Sequence, residues 1–132
     1  MRINHIALYC MDLEGMKEFF IRYFNGAPNQ LYHNPKTGLK TYILSFPGSD
    51  ARLELMTRPE VKDEPEDIYR QGFIHLSFSA GSEEEVDRLT EVLCRDGYKV
   101  LSGPRVTGDG YYENCVEEPE KIFIEVSYPE KS

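Results

Sequence analysis

Apolar and polar positions alternate at the start of the chain and then change to helical spacing. Residues 3–9 alternate without a strand breaker, which predicts a β-strand with His5 on one face. Asp12 follows as a predicted N-cap, and the apolar positions within residues 16–24 recur at helical spacing before Asn25 and Gly26. The pattern therefore predicts one strand followed by one amphipathic helix.

Three further strands are predicted after this helix, and the whole order then repeats. The strand patterns cover residues 30–33, 39–46 and 51–57, with turn sequences between them. Segment 59–71 is acidic, contains two prolines and has no sustained period, so we interpret it as a connector.

The second half begins with a strand at residues 72–80 that contains His75. Ser82 and Glu85 form a predicted capping box, and the helix that follows ends at Gly97. Strands are predicted at residues 98–101, 111–116 and 122–128, with a break at Gly103-Pro104 after the first of them.

These elements predict an α+β protein with two tandem βαβββ modules. At 132 residues the chain is predicted to form a single domain, residues 1–132, with module one at 1–58, the connector at 59–71 and module two at 72–132. Hydrophobic residues make up 40% of the chain, which is enough to form a core and argues against disorder.

The two halves are in register at two residue types that bind metals. His5 and His75 are 70 residues apart, and Glu54 and Glu125 are 71 apart. Each histidine lies on the first predicted strand of its module and each glutamate on the last, between large apolar residues. An unpaired carboxylate in such a strand is unfavourable when buried.

A divalent cation would compensate both carboxylates. Two imidazoles and two carboxylates are donors that zinc, nickel, cobalt, manganese or iron accept. Either histidine alone is more commonly a core side chain, and either glutamate alone is more commonly exposed or ion-paired. Their matched repeat positions favour one metal site made by His5, Glu54, His75 and Glu125. His33 has no counterpart in the second half and is predicted to lie at the surface.

Charge and cysteine content limit the partners and the compartment. The 15 Lys and Arg residues against 23 Asp and Glu residues give a net charge of −8, which disfavours nucleic acid and anionic membrane surfaces. We find no leader-like start and no apolar run of membrane-spanning length, and therefore expect no membrane association. The three cysteines lack a CxxC pattern, which favours a reducing, cytoplasmic location.

Four segments resemble the vicinal oxygen chelate superfamily, the group that includes glyoxalase I. They are the opening residues 3–7, the Leu53-Glu54-Leu55 run, residues 72–78, and residues 117–126, whose turn has Lys121 where the family usually has glycine. The resemblance covers essentially the whole chain. It implies that the two modules form a curved mixed sheet around a metal site.

The order His, Glu, His, Glu is similar to glyoxalase I, because related three-ligand enzymes leave the position of Glu54 without a ligand. The resemblance implies one divalent metal per site, nickel or zinc, with cobalt also accepted. It further implies a lyase or isomerase that acts on a small carbonyl substrate, a thiol adduct of a 2-oxoaldehyde. Glu54 and Glu125 are the candidate bases for proton transfer next to the carbonyl.

The thiol-binding positions depart from the family. Glyoxalase I usually has an arginine and an asparagine where this chain has Tyr9 and Arg58. Arg58 could bind a carboxylate of a thiol or substrate, or simply be solvated, and Tyr9 is expected to pack or line the pocket. These differences disfavour glutathione as the cosubstrate. The resemblance also implies a homodimer in which His5 and Glu54 of one chain meet His75 and Glu125 of its partner.

Three alternatives stay open from the sequence. An acyl-thioester epimerase of the same superfamily would use the same pair of bases. A non-catalytic drug-binding protein of the bleomycin-resistance type would normally lack the metal ligands. A closed structural metal site would leave no position for substrate.

Overall fold

The computed structural model describes residues 1–64 and 69–129, and it shows a strand, a helix and a run of further strands twice. The first set is β1 (His5–Tyr9), α1 (Leu13–Phe24), β2 (Ala27–Pro28), β3 (Tyr32–His33), β4 (Lys40–Ser45) and β5 (Arg52–Thr57). The second set is β6 (His75–Ser79), α2 (Glu83–Arg95), β7 (Val100–Val106), β8 (Tyr112–Glu117) and β9 (Phe123–Tyr128). The chain divides into two units, Met1–Glu66 and Asp67–Ser132, so the division falls within the predicted connector 59–71.

Each unit has its own mixed sheet. In the first unit the strand order is β1-β5-β4-β2, and β3 also pairs with β4. In the second unit the order is β6-β9-β8-β7. The first and last strands of each unit are parallel neighbours, β1 with β5 and β6 with β9, and the other pairs are antiparallel. The predicted α+β class with two tandem βαβββ modules is confirmed.

Side-chain caps fix the start of both helices. The Asp12 carboxylate accepts a hydrogen bond from the Gly15 backbone N–H (3.0 Å), and α1 ends where Asn25 adopts a left-handed φ of 56°. At α2 the Ser82 hydroxyl accepts from the Glu85 N–H (3.1 Å). The Glu85 carboxylate pairs with Arg88 one turn later, so the described contacts form only the serine half of the predicted capping box.

Two details of the strands differ from the sequence prediction. The strand predicted at residues 30–33 is replaced by the short strands β2 and β3, which both pair with β4. Between them the Asn29 backbone N–H donates to the Ile43 carbonyl oxygen (2.9 Å), and the Asn29 amide oxygen accepts from the Ile43 N–H (2.7 Å). The predicted break at Gly103-Pro104 is wrong, because β7 continues through it with register shifts on both sides of Ser102.

Glycine permits that continuous strand. Gly103 has a φ of 78°, and a Cβ atom there would collide with the backbone carbonyl oxygen of Glu113 on the neighbouring strand. The register shifts around Ser102 form a β-bulge, and glycine at position 103 keeps β7 against β8 where a larger residue would separate the strands.

The core of each unit lies between its helix and one face of its sheet. Its largest fully buried apolar side chains are Met16, Phe20, Leu44 and Leu55 in the first unit, and Val86, Leu93, Val116 and Ile124 in the second. Because residues alternate along a strand, the polar residues between them point to the opposite face. That second face carries the predicted ligands.

Within residues 1–64 and 69–129, no helix is long and apolar enough to cross a membrane. Cys10, Cys94 and Cys115 are free thiols.

Candidate metal-binding pairs

The first pair is His5 and Glu54, on the parallel strands β1 and β5. Ala7 is the register partner of Glu54. His5 precedes Ala7 by two residues, so its side chain lies on the same face of the sheet as that of Glu54. The residues that flank Glu54, Leu53 and Leu55, are buried against the core and leave the carboxylate on the opposite face. His5 Nε2 lies 3.5 Å from Glu54 Oε2.

The second pair, His75 and Glu125, has the same construction. Ser77 is the register partner of Glu125 on the parallel strands β6 and β9, which repeats the offset of the first pair. His75 Nε2 lies 3.3 Å from Glu125 Oε2. The glutamate side chains are 19% and 20% exposed and the histidines 44% and 37%, so the two pairs are similarly accessible.

The surroundings of Glu125 disfavour an isolated negative charge. Burial raises the pKa of this carboxyl group, His75 lowers it, and the negative charges of Glu113 and Asp109 raise it further. A cation placed between His75 and Glu125 would relieve both the burial and the repulsion.

The separations within the pairs fit two ligands of one metal ion. A charge-assisted hydrogen bond between an imidazole and a carboxylate is normally about 2.7–2.9 Å long, which is shorter than either observed distance. A metal bonded to both atoms at about 2.0–2.1 Å, with a tetrahedral angle between the bonds, would separate them by about 3.3–3.4 Å. The donor types and the distances therefore both suit a divalent metal.

Each unit contributes one such pair. Among the described residues, no group of three or more histidine, cysteine, aspartate or glutamate side chains is arranged to hold a metal. The single four-ligand site of His5, Glu54, His75 and Glu125 therefore stays a prediction. His33 lies on β3 and is exposed, as predicted.

Tyr9 and Arg58 lie together at one end of the first sheet. They line a surface pocket of about 510 Å³ with Glu60, Val61, Lys62 and Glu64. The Arg58 guanidinium donates to the Glu60 carboxylate through Nε (2.8 Å) and Nη2 (3.3 Å). Hydrogen bonds to Glu60, and more weakly to Tyr9, raise the pKa of Arg58, and Arg58 lowers that of Glu60.

The pocket lies in line with the first pair, His5 and Glu54, along the strands. Tyr9 follows His5 by four residues on β1, and Arg58 follows Glu54 by four residues, directly after the end of β5. Four residues of extended strand span about 13 Å. A ligand that reaches from the pair to the pocket would therefore be extended and about that long.

The turn before β9 contains a buried acid that the sequence did not single out. Glu118 is 2% exposed, and its carboxylate accepts hydrogen bonds from the backbone N–H groups of Glu120 (3.0 Å) and Ile122. Burial raises the pKa of Glu118 to about 7, although these hydrogen bonds act in the opposite direction. Lys121 in the same turn has a left-handed φ of 68°. This turn leads directly into the strand that carries Glu125.

Sequence reasoning also missed three polar neighbours of the site, Asn4, Arg52 and Glu60. Asn4 and Arg52 contact each other beside His5, and Glu60 pairs with Arg58 in the pocket. A polar residue next to a ligand has no pattern of its own in one sequence. The parallel register of β1 and β5, which brings Arg52 beside His5, is the signal that could have found two of them.

Comparison with known proteins gives the family. The sequence pattern of the Glyoxalase/Bleomycin resistance protein/Dioxygenase superfamily matches residues 2–126. The chain is 32% identical over 131 residues to the uncharacterized protein YqjT of Bacillus subtilis (strain 168), covering 96% of this chain and 98% of that protein. The chain therefore belongs to the glyoxalase/bleomycin resistance/dioxygenase superfamily.

Solved structures share the fold. A glyoxylase/bleomycin resistance protein/dioxygenase domain from Frankia sp. EAN1pec has a TM-score of 0.82 and 18% identity, with 98% of each chain covered. The trypanothione-dependent glyoxalase I of Leishmania major has a TM-score of 0.77 and 16% identity, with 96% of this chain and 86% of that chain covered. At these identities the likeness concerns the fold alone.

Proposed function

We propose that the protein is a metal-dependent lyase of the glyoxalase I type. It acts by proton transfer next to a carbonyl group of a thiol adduct of a 2-oxoaldehyde or a related small substrate. The observation that carries this proposal is the repeated histidine and glutamate pair, with Nε2–Oε2 separations of 3.5 and 3.3 Å at equivalent positions of the two modules.

The four side chains of the two pairs would hold one divalent cation, nickel or zinc, with cobalt also accepted. When bound, the cation would polarise the substrate carbonyl and stabilise the negative charge that develops on its oxygen. Glu54 and Glu125 are the two carboxylates that can move the proton. One would take it from the carbon next to the carbonyl, and one would return a proton to the neighbouring carbon.

Tyr9 and Arg58 would contact the other end of the substrate. Their pocket lies about 13 Å along the strands from His5 and Glu54, which suits the thiol part of an extended adduct. Glu60 already occupies two donor groups of Arg58, so a substrate carboxylate would compete with it. This competition supports a thiol other than glutathione.

The first test measures metal binding and turnover in a charge-matched pair of variants. Glu125→Gln removes one negative ligand, and Glu113→Gln removes one negative charge from the neighbouring strand β8 on the same face. We expect Ni²⁺ and Zn²⁺ to bind wild type and Glu113→Gln, and turnover of a hemithioacetal to fall about 10²–10⁴-fold in Glu125→Gln alone. Equal turnover in the two variants would reject Glu125 as ligand and base.

The same assay separates the competing activities. An epimerase would exchange the proton next to the carbonyl of a 2-substituted acyl thioester and leave the hemithioacetal unchanged. A closed structural site would bind metal tightly without affinity for a hydroxamate, which needs open positions on the metal. A protein that binds none of these metals would contradict the proposal altogether.

The second test asks whether one site is shared between two chains, as we propose for a homodimer. His5→Ala chains and Glu125→Gln chains are each deficient alone. In a mixed dimer with shared sites, the intact first pair of one chain meets the intact second pair of the other. Mixing the variants should then restore one metal site and part of the turnover. No restoration on mixing, in dimers shown to contain both chains, would place all four ligands within one chain.

A further inference from the structure

His5 has a hydrogen-bonded support next to it. His5 Nδ1 lies 2.8 Å from the Asn4 amide oxygen, and the Arg52 guanidinium donates to that same oxygen through Nη2 (2.8 Å). Arg52 is also the register partner of His5, and its backbone N–H donates to the Asn4 carbonyl oxygen (3.1 Å). Asn4, directly before β1, and the paired strand residues His5 and Arg52 thus hold one another in place.

The Arg52 contact determines which end of the Asn4 amide faces the imidazole. A guanidinium has only N–H donors, so the group it contacts must be the amide oxygen. An oxygen that accepts from Arg52 can only accept from His5 as well. His5 Nδ1 therefore carries the proton, and Nε2, which faces Glu54, keeps its lone pair for a ligand.

The second pair lacks this support at the equivalent positions. Ile74 precedes His75 where Asn4 precedes His5, and Phe123 is the register partner of His75 where Arg52 is that of His5. Neither side chain offers a hydrogen-bond acceptor or a charge. The two pairs therefore share their backbone geometry but differ in the control of the imidazole proton.

We propose that Asn4 and Arg52 are positioning residues that hold His5 in the Nδ1–H tautomer with Nε2 directed toward Glu54. The tautomer itself follows from contacts within the first module. Its consequence, a first pair that is preorganised for a metal while the second is not, rests on the proposed function. Partners of this kind fix the ring orientation of metal-binding histidines, and their loss typically costs about 10–100-fold in metal affinity.

The tautomer can be measured on the metal-free full chain. Nitrogen-15 spectra of the imidazole rings, recorded after treatment with a chelator at about pH 8, distinguish protonated from unprotonated ring nitrogens. We expect His5 to be protonated at Nδ1 and His75 to show the Nε2–H preference of a free imidazole. The same tautomer at both histidines would overturn the proposal.

Variants at position 4 separate the hydrogen bond from packing. Asn4→Leu keeps the size but removes the acceptor, and Asn4→Asp keeps an acceptor for both His5 and Arg52. Ile74→Ala changes the equivalent position of the second module as a control. We expect Asn4→Leu to shift His5 toward the Nε2–H tautomer and Asn4→Asp to retain the wild-type form. Arg52→Met should also weaken the preference, because it releases the amide.

Titration of the same variants with Ni²⁺ then tests the consequence. We expect about 10–100-fold weaker binding in Asn4→Leu, with wild-type affinity in Asn4→Asp and Ile74→Ala. Equal losses in Asn4→Leu and Ile74→Ala would overturn the positioning role, since packing alone would explain them. If the tautomers are as expected but no variant and no wild type binds Ni²⁺, Co²⁺ or Zn²⁺, the tautomer assignment stands and the proposed function fails.

Discussion

Glu118→Gln should change the pH dependence of stability. Glu118 is buried in the turn before β9, and burial raises its pKa to about 7 from the ordinary value of 4.5. A carboxyl group whose pKa is raised by folding is protonated more readily in the folded than in the unfolded chain. Its favourable contribution is complete below pH 4.5 and is lost as the pH rises through about 7.

The shift sets the magnitude. The difference between about 7 and 4.5 is about 2.5 pKa units, and each unit corresponds to about 1.36 kcal/mol. Wild type should therefore lose about 3 kcal/mol in its free energy of unfolding between pH 4.5 and 8, relative to a variant that cannot ionise there. Glutamine cannot ionise, and it keeps one oxygen to accept from the turn.

Urea unfolding at several pH values and one protein concentration measures this difference. The control is Glu91→Gln, which removes an exposed charge from α2 in the same module. We expect the unfolding free energy of Glu118→Gln to fall less with pH than those of wild type and Glu91→Gln. Parallel pH profiles of all three proteins would show that Glu118 ionises normally and would contradict the effect of burial on its pKa.

Two further substitutions test the turn and the pocket. Lys121→Gly should raise the free energy of unfolding by about 0.5–1 kcal/mol, because glycine adopts a φ of 68° without steric cost. A lower free energy of unfolding in urea would mean that contacts of the lysine side chain outweigh the strain of its left-handed backbone. Glu60→Gln should lower KM for an anionic thiol adduct relative to a neutral one and leave kcat unchanged, since it frees Arg58. If the ratio of the two KM values is the same as in wild type, Arg58 does not bind the substrate.

The helices were predictable because their signals are local. Asp12 and Ser82 precede apolar positions at helical spacing, and both side chains make the expected caps. The strands at residues 30–33 and around Gly103 were not predictable in the same way, because their form depends on contacts with other strands. Asn29 bonds to Ile43 on β4, and Gly103 packs against the Glu113 carbonyl on β8.

The two histidine and glutamate pairs were predictable because the module is repeated. One histidine or one glutamate carries little information, but the matched offsets place each in the same element of both modules. The neighbours of these residues differ between modules, so the repeat gives no help with them. Asn4 corresponds to Ile74 in the second module. Glu60 lies in the connector after β5, which has no counterpart in the second module.

The parallel pairing of the first and last strands explains why the pairs are alike while their neighbours differ. In each unit the histidine precedes the register partner of the glutamate by two residues, so both side chains lie on the face opposite the core. A shift by one residue would turn the histidine or glutamate of that strand toward the helix. The buried leucines and isoleucine that fix the register therefore also fix the geometry of each pair. The residues beside the pair do not set the register. They are therefore free to differ. The first module has Asn4 and Arg52 where the second has Ile74 and Phe123. The two pairs consequently have the same backbone geometry, but only His5 has neighbours that determine which ring nitrogen carries the proton.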